Sequence, residues 1–322
     1  MEKIDAFKAE IDTGVVINDD ITLMAYALRW YPLKVAGLKP KSRDVYRNAL
    51  DVHILPRLGN LPIRDIKALH IEELMADLAC KSASMHSKIL FTIKQILNSA
   101  VENGIIIKNP CAKKKAGGQK AKIKTPLTHE QQDALREAVK GTRAELFTLL
   151  CLYAGLRREE ALGLLWSNVH LDCKDPYLDV RHTTTYDRNG VPTHSESLKS
   201  SAAYRSIPLP PQLTEALSRR KSDMDSAFIV PAERSNKEMS LIAFRRMWES
   251  VNKGLVSFHV EPHQLRHTYI TELCASGMDI KKIQYLAGHA TVQMTLNVYT
   301  HVTQNRPEQI APDIVKAFLR TP

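Results

Sequence analysis

The chain has 322 residues, 44% of them hydrophobic and 25% charged, and a formal net charge of +10. That composition excludes a disordered or fibrous protein, the length suggests about two domains, and the excess of lysine and arginine points to a polyanionic partner. The five cysteines are scattered and never spaced as Cys-x-x-Cys, which argues against a disulfide framework or a zinc ribbon and fits reduced thiols in a cytoplasm. The apolar stretch from Leu146 to Leu156 is too short for a membrane span, which needs roughly 20 residues, and the mixed-charge start Met-Glu-Lys-Ile-Asp has no signal core.

In chain order, apolar residues at three-and-four spacing predict helices over Ile21 to Trp30, Ser42 to Val52, His70 to Leu78 and Ser84 to Val101. Pro40, Pro56 and Pro62 punctuate them. Ile89, Ile93, Ile96, Leu97 and Ala100 make one stripe in the last helix, read as core. Lys108 to Lys124 then carries seven lysines (Lys108, Lys113, Lys114, Lys115, Lys120, Lys122 and Lys124), no acid and the pair Gly117-Gly118. It reads as a solvated, flexible linker and, between two helical halves, as a strap for a DNA duplex.

Downstream, His129 to Val139, Ala144 to Tyr153 and Arg158 to Leu165 read helical, with Thr128 and Gln131 as a capping box. From Tyr177 to Pro210 the pattern turns to strands: alternation over 177–183, a hairpin turn at Asn189-Gly190 and an edge strand at Arg205 to Leu209. Helices resume at Gln212, and one from Asp279 to Ala287 closes on Gly288 as its C-cap. Tyr269 and Tyr285 have apolar neighbours on their helices and read as core.

The chemistry-bearing residues form an ordered series. Arg157 lies in Ala-Gly-Leu-Arg-Arg-Glu-Glu, Lys199 in Leu-Lys-Ser-Ser, His263 and Arg266 in His-Gln-Leu-Arg-His-Thr, His289 in Leu-Ala-Gly-His and Tyr299 in Asn-Val-Tyr-Thr-His. Guanidinium groups are always charged and offer a planar fork to two phosphate oxygens. His263 and Arg266, three apart, share one helical face. An imidazole exchanges a proton near neutrality, a lysine loses one readily when desolvated, and a phenol needs cationic neighbours to become a nucleophile. Arg158 is the rival of Arg157, and His301 a weaker supporting candidate. His263 and His267 are four apart, but Gln264 stands where a zinc hydrolase needs Glu, so neither a metal nor any other cofactor is expected.

In this order and these contexts the motifs resemble the tyrosine recombinase (phage integrase) family over almost the whole chain. The resemblance implies a mainly α protein with a small β-sheet insertion, a two-domain DNA clamp. An N-terminal segment over 1–17 would precede a helical, SAM-like core-binding domain over 18–107, a basic linker over 108–125 and a mixed α/β catalytic domain over 126–322. Lys39, Lys41, Arg43, Arg47 and linker lysines Lys113, Lys114, Lys115, Lys120, Lys122 and Lys124 would face DNA. Arg157 rather than Arg158 would be catalytic, with Glu160 as its acidic supporter, although Glu159 stands where a small residue is commoner.

The activity so implied is site-specific recombination of a phage or mobile element. Tyr299 forms a 3′-phosphotyrosyl bond and frees a 5′ hydroxyl that attacks a partner duplex, with Lys199 as acid, in a tetramer on two DNA sites. The tail from Arg306 would dock in that tetramer or pack in cis, and DNA-bending or directionality proteins would assist in a bacterial cytoplasm at the nucleoid. About twenty residues precede the first module, leaving no room for an arm-binding domain. A type IB topoisomerase and a non-catalytic DNA-binding protein are the alternatives.

Overall fold

The computed structural model describes residues 20–119, 125–187, 189–195, 201–221, 226–233 and 236–302, with backbone alone for Ser201, Asn297 and 299–302. It divides into two compact units, Met1–Ile123 and Lys124–Pro322. None of the described helices is long and apolar enough to cross a membrane.

The first unit is helical. Helix α1 (Leu23–Val35) starts at Thr22, whose hydroxyl accepts the Ala25 N–H at 3.2 Å. Helix α2 (Pro40–Asn48) has proline in its first turn, where the missing N–H costs nothing, and continues through a π-helical stretch (Ala49–Ile54) into the short α3 (Leu55–Leu58). Helices α4 (Ala68–Ala76) and α5 (Ala83–Glu102) complete the unit. The α5 stripe of Ile89, Ile93, Ile96, Leu97 and Ala100 is fully interior and packs with Leu23, Ile54, Ile71 and Leu74. Burial of that stripe, not helix propensity, holds α5 in place.

The lysine-rich run departs from the expected flexible linker. Through residue 119 it is folded onto the first unit, because its non-lysine residues find partners there. Cys111 is fully buried, and Asn109 donates to Lys94 O at 3.1 Å and to Asn98 Oδ1 at 2.6 Å. Gln119 bonds both Lys81 O and Ala83 N, at 2.9 and 2.8 Å. Lys114 is ion-paired with Glu72, and of the described lysines in this stretch that were assigned to DNA only Lys113 and Lys115 are exposed. Lys120, Lys122 and Lys124 lie outside the described residues.

In the second unit α6 (His129–Val139) begins in the expected capping box, Thr128 Oγ1 accepting from Gln131 N at 3.3 Å and Gln131 Oε1 from Thr128 N at 3.1 Å. Helix α7 (Glu145–Tyr153) is buried on nearly every face. Helix α8 (Arg158–Leu162) stops at Gly163, short of the expected Leu165. A Cβ on Gly163 would stand 2.7 Å from Thr184 N, so the chain must turn away there to let the backbones meet.

Strands β1 (Val169–His170), β2 (Tyr177–Val180) and β5 (Arg205–Pro208) form an antiparallel sheet in the order β1-β2-β5, and β3 (Thr183–Tyr186) pairs with β4 (Pro192–Ser195) as a separate hairpin. β5 is an edge strand, as its sequence suggests, whereas β1 was not foreseen because two residues carry no alternation. Helices α9 (Pro211–Lys221), α10 (Leu241–Gly254), α11 (Pro262–Ala275), α12 (Ile280–Ala287) and α13 (Val292–Val302) follow. In the main core Phe147 stands edge-on to Phe244 and Trp248, 4.9 and 5.5 Å away, and those two rings stack on each other. A smaller cluster of Tyr269, Ile270, Cys274, Ile283 and Ala287 joins α11 and α12, with Val298 of α13 packed on it.

Candidate active site

The site is built at the C-terminal end of α12. A helix end leaves its last carbonyls without intrahelical donors and carries partial negative charge. Here three successive carbonyls are each taken by a different arginine. Arg205 Nε donates to Leu286 O at 2.8 Å, an Arg266 terminal nitrogen donates to Ala287 O, and Arg157 donates to Gly288 O at 2.7 Å. Gly288 makes the turn possible in the left-handed conformation, φ +57°, and a Cβ there would meet the Arg205 guanidinium at 2.8 Å.

Glu160 ties two of these arginines together. Its Oε1 accepts from Arg157 at 2.7 Å and Arg205 at 3.3 Å, and its Oε2 accepts from Arg205 and from the Arg157 backbone N–H, both at 2.9 Å. Four donors match the acceptor capacity of a carboxylate. Burial alone would raise the Glu160 pKa, but the charge and hydrogen bonds of Arg205, then the charges of Arg157 and Arg266, overcome it and hold it down at about 2. Glu160 is therefore ionised at neutral pH, and three guanidiniums face one carboxylate with an excess of positive charge.

The arginines differ in reach. Arg205 has 0% side-chain exposure and Arg157 has 32%. Arg266 is buried and also bonded to Gly155 O; burial first, then the charge of Arg157, pushes its pKa down to about 9, still protonated at neutral pH. Arg158, the alternative to Arg157, turns aside to pair with Glu159 at 2.6 Å and lies over the Phe244 ring.

His289 follows the turn and is buried, its Nδ1 2.9 Å from Thr295 Oγ1 at the start of α13. Desolvation, then the positive charges of Arg266, Arg157 and Arg205, push its pKa down to about 4, so its ring is neutral at physiological pH. His263 is exposed on the first turn of α11 and close enough to add to that shift.

The structure thus brings together Arg157, Glu160, Arg266 and His289, with His263 at their edge. Lys199 lies outside the described residues. The backbone of Tyr299 is in α13, which the packing of Val298 and the buried Thr295 hold against the preceding helices, and its side chain lies outside the described atoms. Tyr285 is corrected: it is 51% exposed, and its hydroxyl accepts from Ser206 N at 3.0 Å instead of lying in the core. Ile283 and Ala287 define the buried face of α12, and Tyr285, midway between them, falls off it.

Arg205 was missed as a site residue. The available signal was its alternation with Ile207, which puts an arginine on the core side of β5. In the first unit Lys39, Lys41, Arg43 and Arg47 are exposed on or beside α2. Arg43 donates to Leu38 O at 2.7 Å, and Arg47 pairs with Asp51 at 3.3 Å.

Residues 126–306 match the model of the phage integrase family, and residues 23–116 that of the phage integrase central domain. A tyrosine recombinase XerC-like protein of Caldanaerobacter subterraneus subsp. tengcongensis is 28% identical over 236 residues, covering 65% of this chain and 60% of that relative. A putative prophage phiRv2 integrase of Mycobacterium tuberculosis is 24% identical over 292 residues, covering 89% of this chain and 76% of its own. Among solved structures, a Tn1549 transposon integrase in complex with circular intermediate DNA superposes with a TM-score of 0.78 at 19% identity, covering 91% of this chain and 100% of that one, a likeness of fold. The chain belongs to the phage integrase family of tyrosine recombinases.

Proposed function

We propose that the protein is a site-specific DNA recombinase that cuts and rejoins duplex DNA through a 3′-phosphotyrosyl bond at Tyr299, in the service of a phage or transposon. The observation that carries this is the convergence of Arg157 and Arg266 on adjacent carbonyls beside His289. A site preorganised with fixed positive charge favours the transition state of phosphoryl transfer, where charge builds on the nonbridging oxygens. Arg157, with part of its fork exposed, and Arg266 behind it hold those oxygens. Neutral His289 hydrogen-bonds the phosphate through the ring nitrogen turned away from Thr295, and His263 supports it from the rim.

The Tyr299 oxygen, giving its proton to the His263 imidazole, attacks phosphorus as the P–O bond to the 5′ oxygen breaks, and Lys199 protonates the leaving oxygen. The freed 5′ hydroxyl of the partner duplex then reverses the step, so bond energy is conserved without nucleotide or cofactor. Lys39, Lys41, Arg43, Arg47 and the lysines from Lys113 to Lys124 hold the duplex. Four copies assemble on two sites, assisted by DNA-bending or directionality proteins, in a bacterial cytoplasm.

The test is strand exchange between two labelled duplexes from the element that encodes the chain, in excess chelator. Recombinant product with protein-linked 3′ ends and free 5′ hydroxyls is expected. Relaxation of supercoiled plasmid without exchange would assign a type IB topoisomerase instead, and binding without breakage a DNA-binding protein.

A further inference from the structure

We propose that Arg205, outside the motif series, is a positioning residue of the catalytic cluster, setting Arg157 and the His289 turn through Glu160 and the end of α12; this rests on the recombinase reading above. The Arg205 side chain has 0% exposure, and all three nitrogens of its guanidinium are engaged inside the protein, in four hydrogen bonds to three separate segments. Two go to Glu160, the group that holds the Arg157 backbone and guanidinium. One goes to Leu286 O, next to the carbonyls that Arg266 and Arg157 use. The fourth, to Ala203 O at 2.9 Å, fastens the chain just before β5 to the same point. The Gly288 turn closes over the guanidinium with no room for a side chain.

The geometry has a chemical reason. Without Arg205, Glu160 would keep Arg157 as its sole side-chain hydrogen-bond partner, and the carboxylate could follow that part-exposed side chain. A second fork, planar and buried, fixes both carboxylate oxygens before Arg157 binds them, so Arg157 has one orientation left. Lysine has a single nitrogen and no fork; it preserves the charge but cannot hold both oxygens of Glu160 together with two carbonyls. Displacing a catalytic group by about 1 Å costs on the order of 10²-fold in rate.

The experiment uses the full chain and a nicked duplex carrying the cut site mapped with the unmodified protein. Arg205→Lys and the double variant Glu160→Gln/Arg205→Met, which leaves no lone buried charge, are compared with Glu160→Gln alone. Expected are DNA affinity within about threefold of the parent, single-turnover cleavage at saturating protein slower by about 10²-fold, and a double variant no slower than the worse single one, because the two residues act as a unit. Arg205→Lys cleaving at the parent rate overturns the proposal, as does additive loss in the double variant. If both Arg205 variants fail to melt cooperatively, Arg205 is a folding residue and the positioning role is rejected.

A readout independent of activity separates this from failure of the recombinase reading. In the free protein the Arg157 side-chain N–H resonance should be sharp in the parent and broadened in Arg205→Lys. An unchanged resonance counts against the proposal even if the parent never cuts DNA.

Discussion

His289 and His263 lie close together but in opposite surroundings, and that difference can be read as a pH dependence. The folded pKa of His289, about 4, lies below the 6.5 of a free imidazole. Between those values the unfolded chain takes up a proton that the folded one refuses, so this contribution to stability is present above 6.5 and is lost as pH falls through about 4. Adduct formation should therefore persist to about pH 5 and fail only near 4. A rate profile that already fails well above pH 5 would take the limiting role away from His289. For Lys199, alanine substitution should slow cleavage of ordinary DNA by 10²–10⁴, as for a lost general acid. A substrate with sulfur at the bridging 5′ position, whose leaving group needs no proton, should restore that variant but not Arg266→Ala. If sulfur restores neither, the acid is another group.

At this scale the motif strings made Arg157, Arg266 and His289 legible, because local order along the chain carries them. Arg205 was not legible as a site residue, because its partners lie far away along the chain at Glu160 and Leu286. An arginine in a strand also reads as surface until the inward register of Ile207 is taken seriously.

Among the elements, the turns that feed the site are the most constrained. Gly155 has φ +60°, and a Cβ there would lie 2.2 Å from the Tyr269 ring, whereas Gly277 has φ +74° with nothing within 4 Å. Gly277→Ala should cost only the left-handed backbone penalty, about 1–2 kcal/mol. Gly155→Ala should cost more, by about 1–3 kcal/mol of overpacking. Chemical denaturation of the two variants gives the difference directly, and equal midpoints would deny the close packing of α11 on the turn before Arg157. The helices were legible from periodicity to within a few residues, and the capping box at Thr128 to the atom. The π-helical stretch after α2 and the two-residue β1 were not, since neither changes the periodic pattern enough to be seen. The lysine run misled for a different reason: composition reports charge, while Asn109, Cys111 and Gln119 supply the contacts that order it.

For the whole molecule, each unit owns a core, and the first closes on itself through Gln119. A fragment of residues 20–119 should therefore melt cooperatively alone, and a non-cooperative helical signal would show that its core needs the rest of the chain. DNA binding by the full chain should weaken linearly in log–log salt, each phosphate neutralised adding about 0.9 to the slope. In the proposed reaction one phenol on α13 becomes linked to DNA beside the three-arginine turn. Trapping the protein on a nicked duplex that loses the short fragment bearing the freed 5′ hydroxyl, then digesting the adduct and sequencing the DNA-linked peptide, tests it most directly. The modified residue should be Tyr299, on a 3′ phosphate, with Tyr299→Phe binding the duplex and giving no adduct. An adduct that survives in Tyr299→Phe, or maps to exposed Tyr285, would contradict the account.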